Sequence, residues 1–187
     1  MTSMADRTPA EPVPSTLAAQ LAPRLSQGNQ VQHLTREAFA QLRQELLDGK
    51  YSYISLDDSA TDVSRLICIV LKAGVEPCAK DKNPDNQDLN GQLSDCLDII
   101  QAAVEKVPQT LTEVPDLEIL GEKACAPLNV WLIVRLLHLS SGRSNWAIHE
   151  KISGIFSTLV RAQYKYTSLW STGYVIPTFL RACVFGL

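Results

Sequence analysis

Familiar signatures of catalysis and nucleotide binding are missing from this chain of 187 residues. It contains no H-E-x-x-H, G-x-S-x-G, Walker or G-x-G-x-x-G pattern, so no motif supports the common hydrolase and nucleotide-binding classes. A basic excess is missing too, because 17 Lys and Arg residues stand against 20 Asp and Glu, for a formal net charge of −3. Since phosphate binding needs a concentrated basic face, nucleic acid is not an expected partner.

The chain also has no long hydrophobic run. Its most apolar segment, VWLIVRLLHL at residues 130–139, contains Arg135. It is about half as long as a membrane-spanning helix, which needs about 20 residues. The sequence therefore predicts no membrane partner and places this segment in a helical core.

The cysteine pattern is typical of an intracellular protein with reduced thiols. The 5 cysteines are odd in number, none forms a C-x-x-C pair, and no signal peptide is recognisable. Cys68, Cys96 and Cys183 fall on apolar stripes, where a thiol behaves as a small hydrophobic side chain. We therefore expect buried reduced cysteines, no metal or other cofactor, and a cytoplasmic or nuclear location.

Composition divides the chain into two parts. Residues 1–15 contain Pro9, Pro12 and Pro14 and few apolar side chains, which predicts a disordered proline-rich leader. Residues 16–187 carry helical periodicity and are predicted to form a single all-helical domain.

The first two helices of this domain have clear signals. A leucine stripe that includes Leu21 crosses Pro23, which is expected to kink or shorten its helix. In the next helix Thr35 is the predicted N-cap, Phe39 begins the buried face, and Gly49 is the stop signal.

Two further helices follow. The first is predicted to begin at Asp58 or Ser59 and to end at Gly74 and Pro77. The second is predicted to stop before Pro108. The connection after it is broken by prolines and glycine, and we expect one short helical turn within it.

A helix hairpin is predicted in the last third of the chain. Its first helix begins at Pro127, the segment SSGRS at residues 140–144 ends it, and Ser144 is expected to cap the second. Trp131 and Trp146 each come shortly after a turn, and we expect them to fill the seam between neighbouring helix pairs.

These patterns predict an all-α protein. The pairing of the helix of Trp131 with that of Ile148 through SSGRS resembles the hairpin of armadillo or HEAT-type repeats, over residues 59–187, without the Trp/Gly/Tyr set of tetratricopeptide repeats. This resemblance of architecture implies hairpins stacked as an α-solenoid, and a compact helical bundle is the alternative. Because the apolar pattern still runs at Leu187, we expect further repeats beyond it, or a docking surface on the last helix.

The segment DKNPDNQDLNGQ, residues 81–92, begins with Asp, Asn and Asp at alternating positions, as a calcium-binding loop does. Such a loop also needs a bidentate glutamate at position 12, and Gln92 stands there. We therefore expect a polar connection in which Asp88 or Asn90 caps the following helix.

The segment RAQYKYTSLW, residues 161–170, interleaves basic and aromatic side chains. Such a pattern can bind single-stranded nucleic acid, but Tyr, Trp and Arg also dominate protein interfaces, and the acidic chain favours a protein partner. The candidate partner-binding residues lie on this segment and on the hairpin before it: Arg135, Arg143, Trp146, Tyr164, Lys165, Tyr166 and Trp170.

The histidines raise a catalytic hypothesis. His138 and His149 lie in adjacent predicted helices, and Cys125 precedes the first, a combination that can make a thiolate nucleophile. No orienting motif surrounds Cys125, and His33 lies in a loop. A cysteine-dependent enzyme is therefore the least favoured alternative, and no catalytic residue is assigned.

The sequence thus favours a non-enzymatic intracellular interaction module, a scaffold or adaptor that binds another protein along a helical surface. An armadillo-like exchange factor or chaperone for a nucleotide-binding protein is an alternative of another class.

Overall fold

The computed structural model of the protein describes residues 16–26, 34–52, 61–81, 83, 86–106, 117–120, 132, 135–139 and 145–165. These residues are predominantly helical and include no strand, which confirms the all-α prediction. The helical elements are α1 (Leu17–Ser26), α2 (Arg36–Leu47), α3 (Asp62–Val70), a π-helical segment (Leu71–Val75), α4 (Glu76–Lys80), α5 (Gln87–Lys106), the single turn α6 (Leu117–Leu120) and α7 (Trp146–Lys165). Residues 135–139 are helical as well, and the predicted leader lies outside the described residues.

The ends of α2 confirm both predicted capping residues. The Thr35 hydroxyl accepts a hydrogen bond from an N–H of the first turn, at 3.3 Å. At the other end, Gly49 has a φ of 72°, and the N–H groups of Gly49 and Lys50 donate to the carbonyls of Leu46 and Glu45. This is the Schellman arrangement, in which a left-handed glycine lets the chain leave the helix.

The stop signal predicted at Gly74 and Pro77 is wrong. Pro23, where the sequence predicts a kinked or shortened helix, lies within α1, which ends at Ser26. Gly74 and Pro77 lie within a helical path that runs unbroken over residues 62–80. Proline lacks an N–H and its ring crowds the preceding turn, so a helix continues through it only where that turn is adjusted.

The π-helical segment makes this adjustment before Pro77. The Glu76 N–H donates to the carbonyl of Leu71, five residues back instead of four, which widens the turn. Because the hydrogen-bond ladder shifts by one residue here, the proline is accommodated without ending the helix.

The predicted start of α3 is also wrong. The helix begins at Asp62, not at Asp58 or Ser59. Thr61 has an extended backbone, with φ of −65° and ψ of 161°, and its hydroxyl accepts from the Ser64 N–H at 3.2 Å. Thr61 therefore caps the helix, because its hydroxyl satisfies an N–H that has no partner within the helix.

Gly74 lies where the π-helical segment meets α2 and α5. A Cβ atom at this position would be 2.2 Å from the Cys96 Sγ and 3.1 Å from the Phe39 Cζ. Both of those side chains are fully buried. The glycine therefore permits a close approach of helical segments and does not mark a change of chain direction.

The residue that caps the start of α5 is Asn86, not the predicted Asp88 or Asn90. The Asn86 Oδ1 accepts a hydrogen bond from the Leu89 N–H at 3.3 Å, and both predicted caps lie inside the helix. Asparagine is as good an N-cap as aspartate, so composition alone does not select among these three positions.

The core is built around α5, which packs against α2, α3 and α7, while α1 packs against α3 and α6. The buried side chains of α5 recur at helical spacing, and they include every apolar residue predicted for its face: Leu93, Cys96, Leu97, Ile100 and Val104. Burying each large aliphatic side chain contributes about 1.5–3 kcal/mol, so this helix holds the core together. In the part of the chain that the structure describes, no helix combines the length and apolar content needed to cross a membrane.

The predicted hairpin contributes its apolar side chains to the same core. Leu132, Leu136 and Leu139 are buried in its first helix. Six apolar side chains are predicted to be buried in α7. Ile148, Ile152, Ile155 and Leu159 are buried, Phe156 is half-buried, and the side chain of Val160 lies outside the description. The Asn145 Oδ1 accepts from the Ala147 N–H at 3.1 Å, at the start of α7.

The helices α2 and α5 lie side by side and run in the same direction. Arg36, at the start of α2, binds Asp95 in the first half of α5 at 3.1 Å. Lys106, the last residue of α5, donates to the carbonyls of Leu46 and Leu47 at the end of α2, at 2.9 Å each. Because the start of α2 lies beside the middle of α5 and the two helices end side by side, the helices are parallel.

The helix α7 continues this parallel row on the other side of α5. Lys151 binds Asp98 at 2.5 Å, and Gln101, one turn further along α5, donates to the Thr158 hydroxyl at 3.0 Å. Residue numbers rise together on both helices. Three parallel helices, α2, α5 and α7, therefore form one row, which we call the α2–α5–α7 row.

A buried carboxylate joins α1 to α2. Glu45 is 7% exposed, and its oxygens accept hydrogen bonds from the Leu17 N–H (3.0 Å), the Gln41 side chain (3.1 Å) and the Tyr51 hydroxyl (2.7 Å). The Leu17 N–H belongs to the first turn of α1, where the helix dipole favours a negative charge. Glu45 thus fixes the start of α1 against α2.

Burial, reinforced by the hydrogen bond to Glu45 and its negative charge, raises the pKa of Tyr51. The stability that neutral Tyr51 contributes is then complete below the unfolded-state pKa of about 10 and is lost as the pH rises above it. We expect the stability advantage of the wild type over Tyr51→Phe to shrink by about 1.4 kcal/mol per pH unit above pH 10. Urea unfolding of both proteins at about pH 9 and pH 11 measures this, and a constant difference between them would contradict it.

Candidate functional site

A groove of about 470 Å³ lies between α2 and α5 on the surface of the α2–α5–α7 row. We call it the α2–α5 groove. Its lining is mainly polar and charged, and most of it comes from α2: Arg36, Glu37, Phe39, Ala40, Arg43, Gln44, Leu47, Asp95 and Asp98. A volume of this size lies within the range of about 300–1,000 Å³ that is usual for ligand pockets.

Most charges in the groove are paired. Arg36 and Asp95 bind each other across it, with side chains that are 66% and 38% exposed. Asp98 is bound by Lys151 of α7. Because exposed ion pairs contribute about 0–1 kcal/mol each, these pairs set the distribution of charge more than the stability of the row.

Arg43 differs from the other cations of the groove. It is exposed and makes no hydrogen bond or ion pair with any residue that the structure describes. Leu47, one turn further along α2, is 46% exposed, although the adjacent Leu46 is fully buried. The end of the groove toward the end of α2 thus presents a cation and an apolar side chain together.

A second charged cluster lies near the start of α4. The Glu76 carboxylate is within 3.5 Å of the Lys72 ammonium, 4.0 Å of that of Lys80 and 3.7 Å of the Arg135 guanidinium. Lys72 also donates to the carbonyl of Leu120 at 3.4 Å. This cluster ties α4 to α6 and to the helical residues 135–139, so it is a structural connection between elements.

The structure places two of the predicted partner-binding residues. Arg135 is half-buried and faces Glu76, so its charge is already matched within the chain. Trp146 is 78% exposed at the first position of α7, which makes the expectation that it fills a seam wrong. It lies two residues before the buried Ile148, or about 200° around the helix, and therefore points away from the core.

Of the other predicted partner-binding residues, the helix α7 includes the backbone of Tyr164 and Lys165, whose side chains lie outside the description. Three more fall outside the described residues altogether: Arg143, Tyr166 and Trp170. Of the predicted set, the described side chains are therefore Arg135 and Trp146, and the grouping of all seven into one site stays a prediction.

The cysteines that the structure describes are buried and form no disulfide bond: Cys68, Cys78 and Cys96. Burial raises the pKa of the Cys96 thiol, which disfavours the reactive thiolate. His138 is exposed and His149 half-buried. Cys125, on which the enzyme hypothesis depends, lies outside the described residues.

The segment that resembles a calcium-binding loop uses its polar side chains for turns. The Asp81 carboxylate accepts from the Asn83 N–H at 3.1 Å and from the Asn86 side chain at 3.3 Å. The helix α5 then begins at Gln87, which makes the second half of the segment helical. Within the described ranges, no group of three or more His, Cys, Asp or Glu side chains could hold a metal ion.

Sequence reasoning missed the residues of the α2–α5 groove. Arg36 and Arg43 are seven positions apart, which puts them on one face of α2, and this spacing was the available signal. The proximity of Asp95 has no counterpart in the sequence, since it depends on how α5 packs.

Comparison of the chain with protein families, curated proteins and solved structures found no match.

Proposed function

We propose that this chain is a non-enzymatic, intracellular interaction module, a scaffold or adaptor that binds another protein along the α2–α5–α7 row. The observation that carries the proposal is the α2–α5 groove, a concave surface that combines Arg43 with the half-exposed Leu47. Protein interfaces are enriched in arginine and have an apolar centre with a polar rim, and this groove offers both components. Trp146, exposed at the start of α7, remains a further candidate contact.

The direction of the helices supports an α-solenoid over an up-and-down bundle. In an up-and-down bundle, neighbouring helices alternate in direction. In stacked hairpins, equivalent helices of successive hairpins lie side by side and parallel. The parallel order of α2, α5 and α7, and the packing of α1 against α3 as a second row, agree with the stacked hairpins. The proposal therefore includes a solenoid in which the α2–α5–α7 row carries the binding surface.

The thiols support the intracellular part of the proposal. Cys68, Cys78 and Cys96 are all buried and free of disulfide bonds. Reducing compartments maintain thiols in this state.

Site-specific photo-crosslinking tests the proposed surface. We expect a photoreactive phenylalanine derivative at position 47 or 146, introduced into the chain in its source cells, to attach to a discrete partner protein on irradiation. The same derivative at position 19 is the matched control, because Ala19 is exposed on α1, outside the row. Equal crosslinking from all three positions, or none from 47 and 146, would contradict the proposal.

A further inference from the structure

We infer that the α2–α5 groove binds an extended segment of a partner protein in which an acidic side chain stands two residues from a large apolar one. Arg43 would bind the carboxylate, and Leu47 would cover the apolar side chain. This inference rests on the proposed function, because it names the chemistry of the partner at the same surface.

The charges of the groove determine the end at which the acidic side chain of the partner would bind. At the start of α2, Asp95 binds Arg36, and Glu37 adds a further negative charge, so the lining of this end sums to one negative charge and disfavours a carboxylate. At the other end are Arg43 and Lys106, whose ammonium lies 2.9 Å from the Leu47 carbonyl. The groove is therefore polarised, and its positive end lies toward the end of α2.

One acidic neighbour, Asp48, reduces the charge of this positive end without cancelling it. Asp48 follows Leu47, but its carboxylate accepts a hydrogen bond from the Gln44 side chain at 2.7 Å. Counting Arg43 and Lys106 against Asp48 leaves one positive charge. An arginine with no partner among the described residues can bind a carboxylate through two parallel hydrogen bonds, which a lysine cannot do.

The distance between Arg43 and Leu47 along α2 determines how far apart the two contacting side chains of the partner must lie. Arg43 and Leu47 are four residues apart on one helix face, or about 6 Å along the helix axis. In an extended chain, side chains two residues apart lie on the same side and are separated by about 6.6 Å. An acidic and an apolar side chain with one residue between them therefore match the two positions.

The helix that carries the apolar end of the groove is packed against the core on its other face. Phe39 lines the groove, and Leu46 lies in the core beneath α2; both are fully buried. A side chain that packs on Leu47 thus rests on a helix whose other face is fixed. Because the groove holds only about 470 Å³, it accommodates a few side chains and not a whole helix.

Selection from a library of random dodecapeptides displayed on phage, with the full chain as bait, tests this inference. We expect enriched peptides to share an acidic residue two positions from Leu, Ile, Phe or Trp. Synthetic versions of them should bind Arg43→Glu at least about 10-fold more weakly than wild type, and Arg43→Gln to an intermediate degree. Arg24→Glu is the matched control, since Arg24 is exposed on α1 and does not line the groove.

A charge exchange separates a direct contact from an indirect effect. A peptide whose acidic residue is replaced by lysine should bind Arg43→Glu better than it binds wild type. Enrichment of peptides without an acidic residue, equal binding to Arg43→Glu and wild type, or no enrichment at all would overturn the inference. The proposed function would still stand in each case if position 47 crosslinks to a partner, so the two failures are distinguishable.

Discussion

Replacing Gly74 with alanine is expected to lower the free energy of unfolding by about 2 kcal/mol. The new Cβ would meet the Cys96 Sγ at 2.2 Å, and the Phe39 ring lies at 3.1 Å. Neither side chain can move into solvent, because both are fully buried. The substitution therefore forces a rearrangement where the π-helical segment, α2 and α5 meet.

Helix propensity opposes this loss only in part. Alanine is favoured over glycine by about 1 kcal/mol in a helix interior, whereas an extra methyl group in a packed core typically costs about 1–3 kcal/mol. The 2.2 Å approach to the Cys96 Sγ places this site at the upper end, about 3 kcal/mol, which leaves a net loss of about 2 kcal/mol. For a chain of this length, a net loss of about 2 kcal/mol corresponds to a fall in Tm of about 4–8 °C. Urea unfolding and thermal unfolding followed by circular dichroism measure both quantities.

The matched control for Gly74→Ala is Gly91→Ala in α5. A Cβ at position 91 would be 3.6 Å from the Arg36 guanidinium, an ordinary contact, so alanine there should stabilise the protein by about 0.5–1 kcal/mol. Shortening Cys96 to alanine should reduce the cost of Gly74→Ala, because it removes the sulfur that the methyl group meets. Similar effects of the two glycine substitutions, or no coupling between positions 74 and 96, would show that Gly74 is not a close-packing residue.

The same region shows why sequence patterns misplace helix ends. Glycine followed three residues later by proline is a common stop signal, and at Gly49 the glycine rule alone is confirmed. At Gly74 and Pro77 the same residue types serve a different purpose, because the glycine admits Cys96 and the π turn accommodates the proline. Only the packing of α5 distinguishes the two cases, and packing is not local information.

Buried positions could be predicted more reliably than contacts between helices. Apolar periodicity identifies Phe39, Leu97 and Ile152 as core residues, since each face that it defines must be buried against something. Periodicity does not indicate which helices pack against each other. The parallel order of α2, α5 and α7 therefore has no signature in the sequence. The α2–α5 groove depends on that order and could not be predicted.

The sequence predicts interface residues from their chemical type, because it does not contain their exposure or their neighbours in the fold. Aromatic and basic side chains are common in interfaces, yet Arg135 already forms an ion pair with Glu76 of the same chain. Trp146, by contrast, is more exposed than a residue in a seam would be. Arg43 and Leu47 carry no unusual composition, and their significance comes from lying in a groove.

Replacing Glu45 with alanine is expected to lower the free energy of unfolding by about 3 kcal/mol. The substitution removes the acceptor for the buried Tyr51 hydroxyl and for the Leu17 N–H at the start of α1. Each buried polar group left without a partner costs about 1–3 kcal/mol, and loss of the negative charge at the helix start adds to this. The substitution should also accelerate hydrogen exchange more in α1 than in α5, because Glu45 binds the first turn of α1 and its hydrogen-bond partners, Leu17, Gln41 and Tyr51, lie outside α5.

Two variants show whether the carboxylate oxygens are responsible. In Glu45→Gln the amide oxygen can still accept from Leu17 and Tyr51, and the Gln41 side chain can turn its own oxygen toward the new amide, so a loss of about 1 kcal/mol is expected. Glu37→Ala removes an exposed acid from the same helix and should cost less than about 1 kcal/mol. If Glu45→Ala were no worse than Glu37→Ala, or if exchange in α1 stayed unchanged, the start of α1 would be held by its apolar contacts alone.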